Sequence, residues 1–297
     1  MKRMSLRAYA KINLFLDIEG RLDNGYHTVK SLMHSVSLSD VVDIKMQKAD
    51  DTEIIISSSR AEVPTDRTNL AWRAAEKFLE AAGFCARVEI HIQKNIPIAG
   101  GLAGGSTDAA AVLRGLNMLS GEPLDTSALC DIGARLGADI PFCIVGGSKR
   151  VGGIGEVLTN APQMPPCRLV IACGGEGVST PWAYGELDGK YAGFDGSSYA
   201  CEADKFDTLL GGLEGDDMSE IVSGMYNIFE LAVLPVRPVA AEIKGIMTEC
   251  GAVAAMMSGS GPSVFGIFDS DESAQKAVAR LAELGVAGHT CSPVGEY

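Results

Sequence analysis

The stretch KNIPIAGGLAGGSTDAAAVL, residues 94–113, carries glycines at 100, 101, 104 and 105 directly before a run of helix-forming residues. A helix start presents unpaired N–H groups and a partial positive charge, so backbone alone can hold an anion there. Glycine lets such a backbone bend sharply and lets phosphate oxygens approach without meeting a Cβ. These residue types suit a phosphate cradle. Ser106 and Thr107 are residue types that cap helix starts. The pattern is not GxxxxGK[ST], because Ser106 and Thr107 follow Gly105 with no lysine between, and it is neither the dinucleotide GxGxxG nor the hydrolase GxSxG. A second glycine cluster, SGSGP at 258–262, lies between two apolar runs and reads as a hairpin turn.

The elements that must hold these loops are legible from periodicity. From Leu6 to Ile18 every second residue is apolar, the period of a half-buried strand, which puts Lys11 and Asn13 together on its polar face. Asn24-Gly25 marks a turn, and extended segments are expected at 29–38, 41–47 and 53–57. Residues 67–82 read as a helix ended by Gly83, and Val88, Ile90 and Ile92 alternate in a strand that runs into the glycine loop. Ser106, Thr107 and Asp108 open the helix after the loop. Another helix near 125–136 stops at Gly137, ahead of ADIPF. Residues 152–166, dense in Gly and Pro, mark the expected boundary between two domains, 1–155 and 156–297. Beyond it the pattern predicts strands at 167–173, 252–257 and 263–268, helices near 202–211, 217–233, 236–250 and 271–284, and a last strand. Segment 185–200 reads as a mobile loop.

Composition narrows the function class. The chain of 297 residues has a net charge of −13, all of it beyond residue 155, because the first 155 residues balance 18 basic against 18 acidic side chains. That acidity argues against broad nucleic-acid binding, and a phosphate partner must be met by a local site, for which the neutral first half is the better host. No uncharged apolar run approaches the roughly 18 residues of a membrane span. Arg7, Lys11 and Asn13 interrupt any signal-peptide core, so a cytoplasmic protein is expected. Eight scattered cysteines without a CxxC pair imply neither a zinc site nor a disulfide framework. His34, His91 and His289 have no partner in the pattern and read as structural or exposed.

PIAGGLAGGSTDAA, AYAKINLFLDI, DNGYH, LGADIPF and MSGSGPSVFG, in that family's order from residue 8 to 266 once arranged along the chain, together resemble the GHMP kinases. The resemblance implies a two-domain α+β fold with the active site in the cleft between domains, and it implies ATP with Mg2+. It assigns Pro97, Ile98, Ala99, Gly100, Gly101, Leu102, Ala103, Gly104, Gly105, Ser106 and Thr107 to the nucleotide's phosphates, and Asn69 to its adenine. Asn69 alone would equally be a helix cap. Ala103 stands where the family often has glycine, a change that a negative φ would tolerate. Lys11 and Asp139 take the catalytic roles by the same resemblance; by themselves they would be a solvated strand lysine and a turn aspartate. Tyr26 and His27 of GYH match a cytosine-binding pair, Tyr184 an aromatic position on the opposite wall, and Asn13 and Thr180 polar substrate contacts. The implied acceptor is therefore a small cytidine-diphosphate-linked alcohol, 4-diphosphocytidyl-2-C-methyl-D-erythritol, phosphorylated on its 2-hydroxyl for non-mevalonate isoprenoid synthesis. Neither nucleic acid nor membrane is an expected partner, and the chain is expected to be a monomer or homodimer. A homoserine- or mevalonate-type kinase and a non-catalytic nucleotide-binding regulator remain as alternatives. YNIFE at 226–230 departs from the family's usual pattern.

Overall fold

A computed structural model describes residues 1–190 and 202–297. The chain forms strands β1 (Lys2–Arg21), β2 (His27–Lys48) and β3 (Glu53–Ser58), helix α1 (Leu70–Ala82), β4 (Ala86–Gln93), then α2 (Gly104–Ser120), α3 (Thr126–Ala134) and α4 (Ile140–Val145). Next come β5 (Ser148–Gly152), β6 (Val157–Asn160), β7 (Arg168–Ala172), α5 (Thr180–Lys190), α6 (Ala203–Glu214), α7 (Met218–Gly224), β8 (Tyr226–Asn227) and α8 (Glu230–Val233). A short 3-10 turn leads to α9 (Pro238–Glu249), and β9 (Ala254–Met257), β10 (Val264–Phe268), α10 (Asp271–Glu283), β11 (Gly288–Cys291) and β12 (Pro293–Val294) complete the mixed α and β chain.

Two compact units divide these elements: residues 1–10, 39–96 and 103–145 form the first, and 11–38, 97–102 and 146–297 the second. Strands β1 and β2 each contribute residues to both. The boundary expected at 155/156 falls inside the second unit, in the turn between β5 and β6.

In the first unit, β4 pairs antiparallel with β2 from Val41 opposite Gln93 to Lys48 opposite Ala86, and parallel with β3. Helix α1 starts at Asn69, whose side chain accepts from the Ala71 N–H, and ends at Gly83, which takes the left-handed conformation at φ 70°. Its buried stripe of Trp72, Ala75, Phe78 and Leu79 packs on α2. Leu113 and Leu116 of α2 and Val42, Ile44, Val88 and Ile90 of the sheet are fully or almost fully buried.

In the second unit, residues of β1 pair parallel with β8, and residues of β2 pair antiparallel with β5 and β12. A separate antiparallel sheet runs β11-β7-β10-β9. Helices α9 and α10 lay Ile243, Met247, Ala277 and Leu281 against it. Strands β9 and β10 form the hairpin expected around residues 258–262.

Several elements differ from the sequence reading. The extended segments at 29–38 and 41–47 are one continuous strand, β2. The helix expected over 217–233 breaks: Met225 is extended at ψ 137°, and Tyr226 and Asn227 pair with Phe15 and Leu16. Residues 185–190 of the expected loop belong to helix α5, and its remainder, 191–200, lies outside the described residues. The polar face of β1 is solvated at Arg3, Ser5 and Arg7 but not around Lys11 and Asn13, because every residue from Ala10 to Asp17 is buried.

Candidate active site

The helix part of the glycine loop belongs to the first unit. The hydrogen bond of Thr107 N to Ala103 O is the first of α2, which leaves the N–H groups of Gly104, Gly105 and Ser106 without a helical acceptor. Side chains cap α1 (Asn69), α3 (Asp125), α7 (Asp217) and α10 (Ser270), but α2 has Ala103 at its cap position, no side-chain cap bond and no acidic residue in its first turn. The longest helix among the described residues thus starts with bare donors. At Gly105, which is exposed, an added Cβ would meet only Leu70 Cδ1 at 3.8 Å. Neither hydroxyl caps the helix. Thr107 is buried and its Oγ1 donates to Tyr9 O at 2.7 Å, while Ser106 is half-buried. Ala103 does not meet the condition of a negative φ: it lies at φ 59°, ψ 27°, a left-handed conformation that costs an L-residue about 1–2 kcal/mol.

Beneath this helix start is a buried ion triad that the sequence pattern did not single out. Lys94 Nζ donates to Asp40 Oδ2 at 2.5 Å and to Asp108 Oδ2 at 2.7 Å, and all three side chains are almost fully buried. Burial pushes the Asp108 carboxyl up, to about 7; Lys94 pulls it down and the neighbouring Asp40 charge pushes it up again. The three residues are 54 and 14 positions apart, so no local spacing announces them. Asn69, the cap of α1, also donates from Nδ2 to Pro64 O at 2.7 Å, which engages both ends of its amide. Asp139 precedes α4, its backbone carbonyl accepting from Cys143 N at 3.1 Å. Its half-buried carboxylate has no hydrogen-bond or ion-pair partner among the described residues.

The remainder of the loop, Pro97 to Leu102, belongs to the second unit and is fastened to the 258–263 turn. Ser263 N donates to Gly100 O at 3.2 Å, and Ser258 Oγ to Gly101 O at 3.1 Å. A Cβ on Gly101, at φ 77°, would overlap the Ser258 carbonyl oxygen, so glycine here admits a second stretch of backbone. Ile98 and Ala99 are exposed and Pro97 is half-buried. The Lys11 N–H donates to Leu102 O at 3.2 Å, and the Lys11 ammonium ends beside the same turn, 3.2 Å from where a Cβ on Gly259 would stand. Lys11 is only 4% exposed. Among the described residues its ammonium has one acceptor, the neutral Asn13 Oδ1 at 2.7 Å, and no carboxylate. Asn13 is itself held, Nδ2 donating to Ser31 Oγ at 2.9 Å, and Ser31 donates to Phe15 O at 2.6 Å. Asn227, in the divergent YNIFE stretch, braces the turn by donating to Met257 O and Gly259 O at 2.7 and 2.9 Å. Lys11 falls in the second unit and Asp139 in the first.

The second unit also gathers the expected base-recognition residues. His27 stacks on Tyr184 with ring centroids 4.6 Å apart and planes 16° apart, and its Nε2 is 2.7 Å from Asp188 Oδ1. Rings in face-to-face contact leave no gap for a third, so Tyr184 backs His27 and is not a wall across a space from it. Tyr184 meets Phe229 edge-on at 4.9 Å. Tyr26 is 60% exposed. Thr180 Oγ1 is 2.9 Å from Ser260 Oγ, next to the glycine turn.

No three His, Cys, Asp or Glu side chains among the described residues are grouped to hold a metal ion. Mg2+ is commonly held by substrate phosphates and one or two carboxylates, and the half-buried carboxylate of Asp139, without a partner among the described residues, is a group of that type.

Two family descriptions match the chain: GHMP kinases N terminal domain over residues 69–147 and GHMP kinases C terminal over 209–287. A 4-diphosphocytidyl-2-C-methyl-D-erythritol kinase of Caldicellulosiruptor saccharolyticus is 42% identical over 278 residues, 94% of this chain and 92% of that one. A crystal structure of a 4-(cytidine 5'-diphospho)-2C-methyl-D-erythritol kinase superposes with a TM-score of 0.79 at 30% identity, covering 98% of this chain and 100% of the other. Homoserine kinase from Cytophaga hutchinsonii shares the fold at a TM-score of 0.77 and 20% identity, over 100% of this chain and 96% of that one.

Proposed function

Because the chain belongs to the GHMP kinase family, we propose that it transfers the γ-phosphate of ATP to the 2-hydroxyl of 4-diphosphocytidyl-2-C-methyl-D-erythritol, in non-mevalonate isoprenoid synthesis. The observation that carries the reading is the Lys11 ammonium, buried, with a neutral amide as its acceptor among the described residues. Burying a cation without an anion is costly, and a phosphate group supplies that anion.

The N–H groups of Gly104, Gly105 and Ser106 receive the triphosphate, aided by the positive end of α2. The exposed residues of Pro97 to Ala103 form the lip of the nucleotide site, and Asn69 meets the adenine at the start of α1. Lys11 stabilises charge on the transferring phosphoryl oxygens, held in place by Asn13. Asp139 orients the acceptor hydroxyl and takes its proton. Magnesium, when bound, would neutralise charge on the nucleotide's phosphates, and Asp139 and Ser106 are the groups that would hold it. Tyr26 supplies a ring for the cytosine to stack on, His27 reads its edge, and Thr180 contacts the polar part of the acceptor. The proposed enzyme is cytoplasmic, a monomer or homodimer; no described helix is long and apolar enough to cross a membrane.

The test is ADP release from MgATP in the presence of the cytidyl alcohol, homoserine and mevalonate in turn. Release with the cytidyl alcohol alone, inhibited competitively by cytidine diphosphate, is expected. Equal release with homoserine or mevalonate would overturn the acceptor, and nucleotide binding without release would overturn the catalysis.

A further inference from the structure

The Lys94 triad has no part in the reaction proposed above, yet it holds the chain on both sides of the glycine loop. Asp40 Oδ1 accepts from Asn95 N at 2.6 Å and Ile96 N at 2.8 Å, the two residues that lead into Pro97. Asn95 Nδ2 adds a bond to Ser39 O at 2.9 Å, and Lys94 N donates to Ser59 Oγ at 2.9 Å. On the far side, Asp108 ties the first turns of α2 to the same ammonium, and Gly104 is pressed onto it. A Cβ on Gly104 would stand 3.0 Å from Lys94 Nζ and 3.2 Å from Ile96 Cγ2.

Stability alone is a poor reason for this arrangement. Removing three charged groups from water costs more than apolar residues of similar volume would, and buried ion networks are often replaceable without loss of stability. Charged hydrogen bonds of fixed length do, however, define positions that apolar contacts leave adjustable. Asp40 has both oxygens engaged, one on the incoming backbone and one on Lys94, so the entry of the loop and the start of α2 are referred to a single nitrogen atom.

We propose that Asp40, Lys94 and Asp108 are positioning residues for nucleotide, fixing the loop's entry at Asn95–Ile96 against its exit at Gly104 so that the Gly104–Ser106 N–H groups converge on one triphosphate. This rests on the kinase reading. Small displacements of binding groups carry large penalties, about 100-fold for 1 Å in favourable cases, so loosening the triad acts on nucleotide before it acts on acceptor.

The test compares Asp108→Ala with Asp108→Asn by steady-state kinetics for both substrates and by calorimetric titration with MgADP. The alanine variant disengages α2 from Lys94 but leaves the neutral Asp40–Lys94 pair, and its KM for ATP should rise about tenfold while KM for the cytidyl alcohol stays near wild type. The asparagine variant keeps an oxygen that accepts from Lys94 and should recover most of that loss. A KM for ATP unchanged in folded Asp108→Ala, or equal losses in both variants, would overturn the proposal, because a merely stabilising triad lowers the melting temperature without this split. Should Asp108→Ala fail to fold, Lys94→Arg gives the same reading. Its larger head displaces Gly104 and should raise KM for ATP, and an unchanged value overturns the proposal. A wild-type chain that binds no nucleotide removes the kinase reading and this proposal together, whereas wild-type binding with unaffected variants removes only this proposal.

Discussion

Two buried lysines, Lys94 in the first unit and Lys11 in the second, are solvated by the protein in opposite ways. Lys94, 7% exposed, spends its charge on two carboxylates, whereas Lys11, 4% exposed, has the amide oxygen of Asn13 and no carboxylate among the described residues. The first lysine is electrostatically complete without ligand. On the proposed reading, the second is completed by the anion it binds. The difference separates scaffold from chemistry: a cation whose demand is met inside the fold holds geometry, and one whose demand is left open binds charge.

Substitution of each lysine by methionine should give opposite outcomes. Lys94→Met strands two buried carboxylates and should lower unfolding free energy by about 3–5 kcal/mol, read from urea midpoints. Lys11→Met strands no opposite charge, so its midpoint should stay within about 1 kcal/mol of wild type, while turnover falls about 100- to 1,000-fold, the cost of losing one preorganised electrostatic partner. If Lys94→Met stayed folded and lost only turnover, the assignment of the two roles would be reversed.

His34 supplies a third state, a buried base kept neutral. Neither ring nitrogen has a partner among the described residues, and burial lowers its pKa from 6.5 to about 4. Between these values the unfolded chain binds the proton and the folded chain does not, so this group removes stability as pH falls from 6.5 towards 4. The loss is about 3 kcal/mol in full. His34→Leu should flatten that part of the stability curve, measured by urea unfolding at pH 7, 5.5 and 4; an unchanged slope would show that His34 is not its source.

The smallest effect concerns Ala103, whose positive φ belongs to the loop's geometry and to neither lysine's charge. Ala103→Gly relieves the left-handed strain but adds freedom to the unfolded chain, for a net gain of about 1 kcal/mol or less. Thermal melting should show the small rise with KM for ATP unchanged. A large KM change would place the strain in the binding step.

Local chemistry was readable from the sequence wherever one stretch determines it. Asn69 and Gly83 bound α1 because a cap and a left-handed stop act within a few residues, and the SGSGP hairpin follows from its own turn residues. Period-two alternation finds β1 but reports only that its two faces differ, so it could not tell that the face bearing Lys11 and Asn13 is covered as well. The break at Met225 depends on Tyr226 finding Phe15, a pairing with no trace in local propensity. The stack of His27 on Tyr184 and the Asp40–Lys94–Asp108 triad likewise join distant positions, and motifs locate such residues without showing what each one touches.

The distinction between the lysines is tested most directly by NMR of the protein labelled with 13C at lysine Cε, with signals assigned through Lys11→Met and Lys94→Arg, during titration with MgADP and the cytidyl alcohol. The Lys11 signal should shift on ligand addition and the Lys94 signal should stay in place. A stationary Lys11 signal at saturating ligand, or a shift confined to Lys94, would contradict the division of roles.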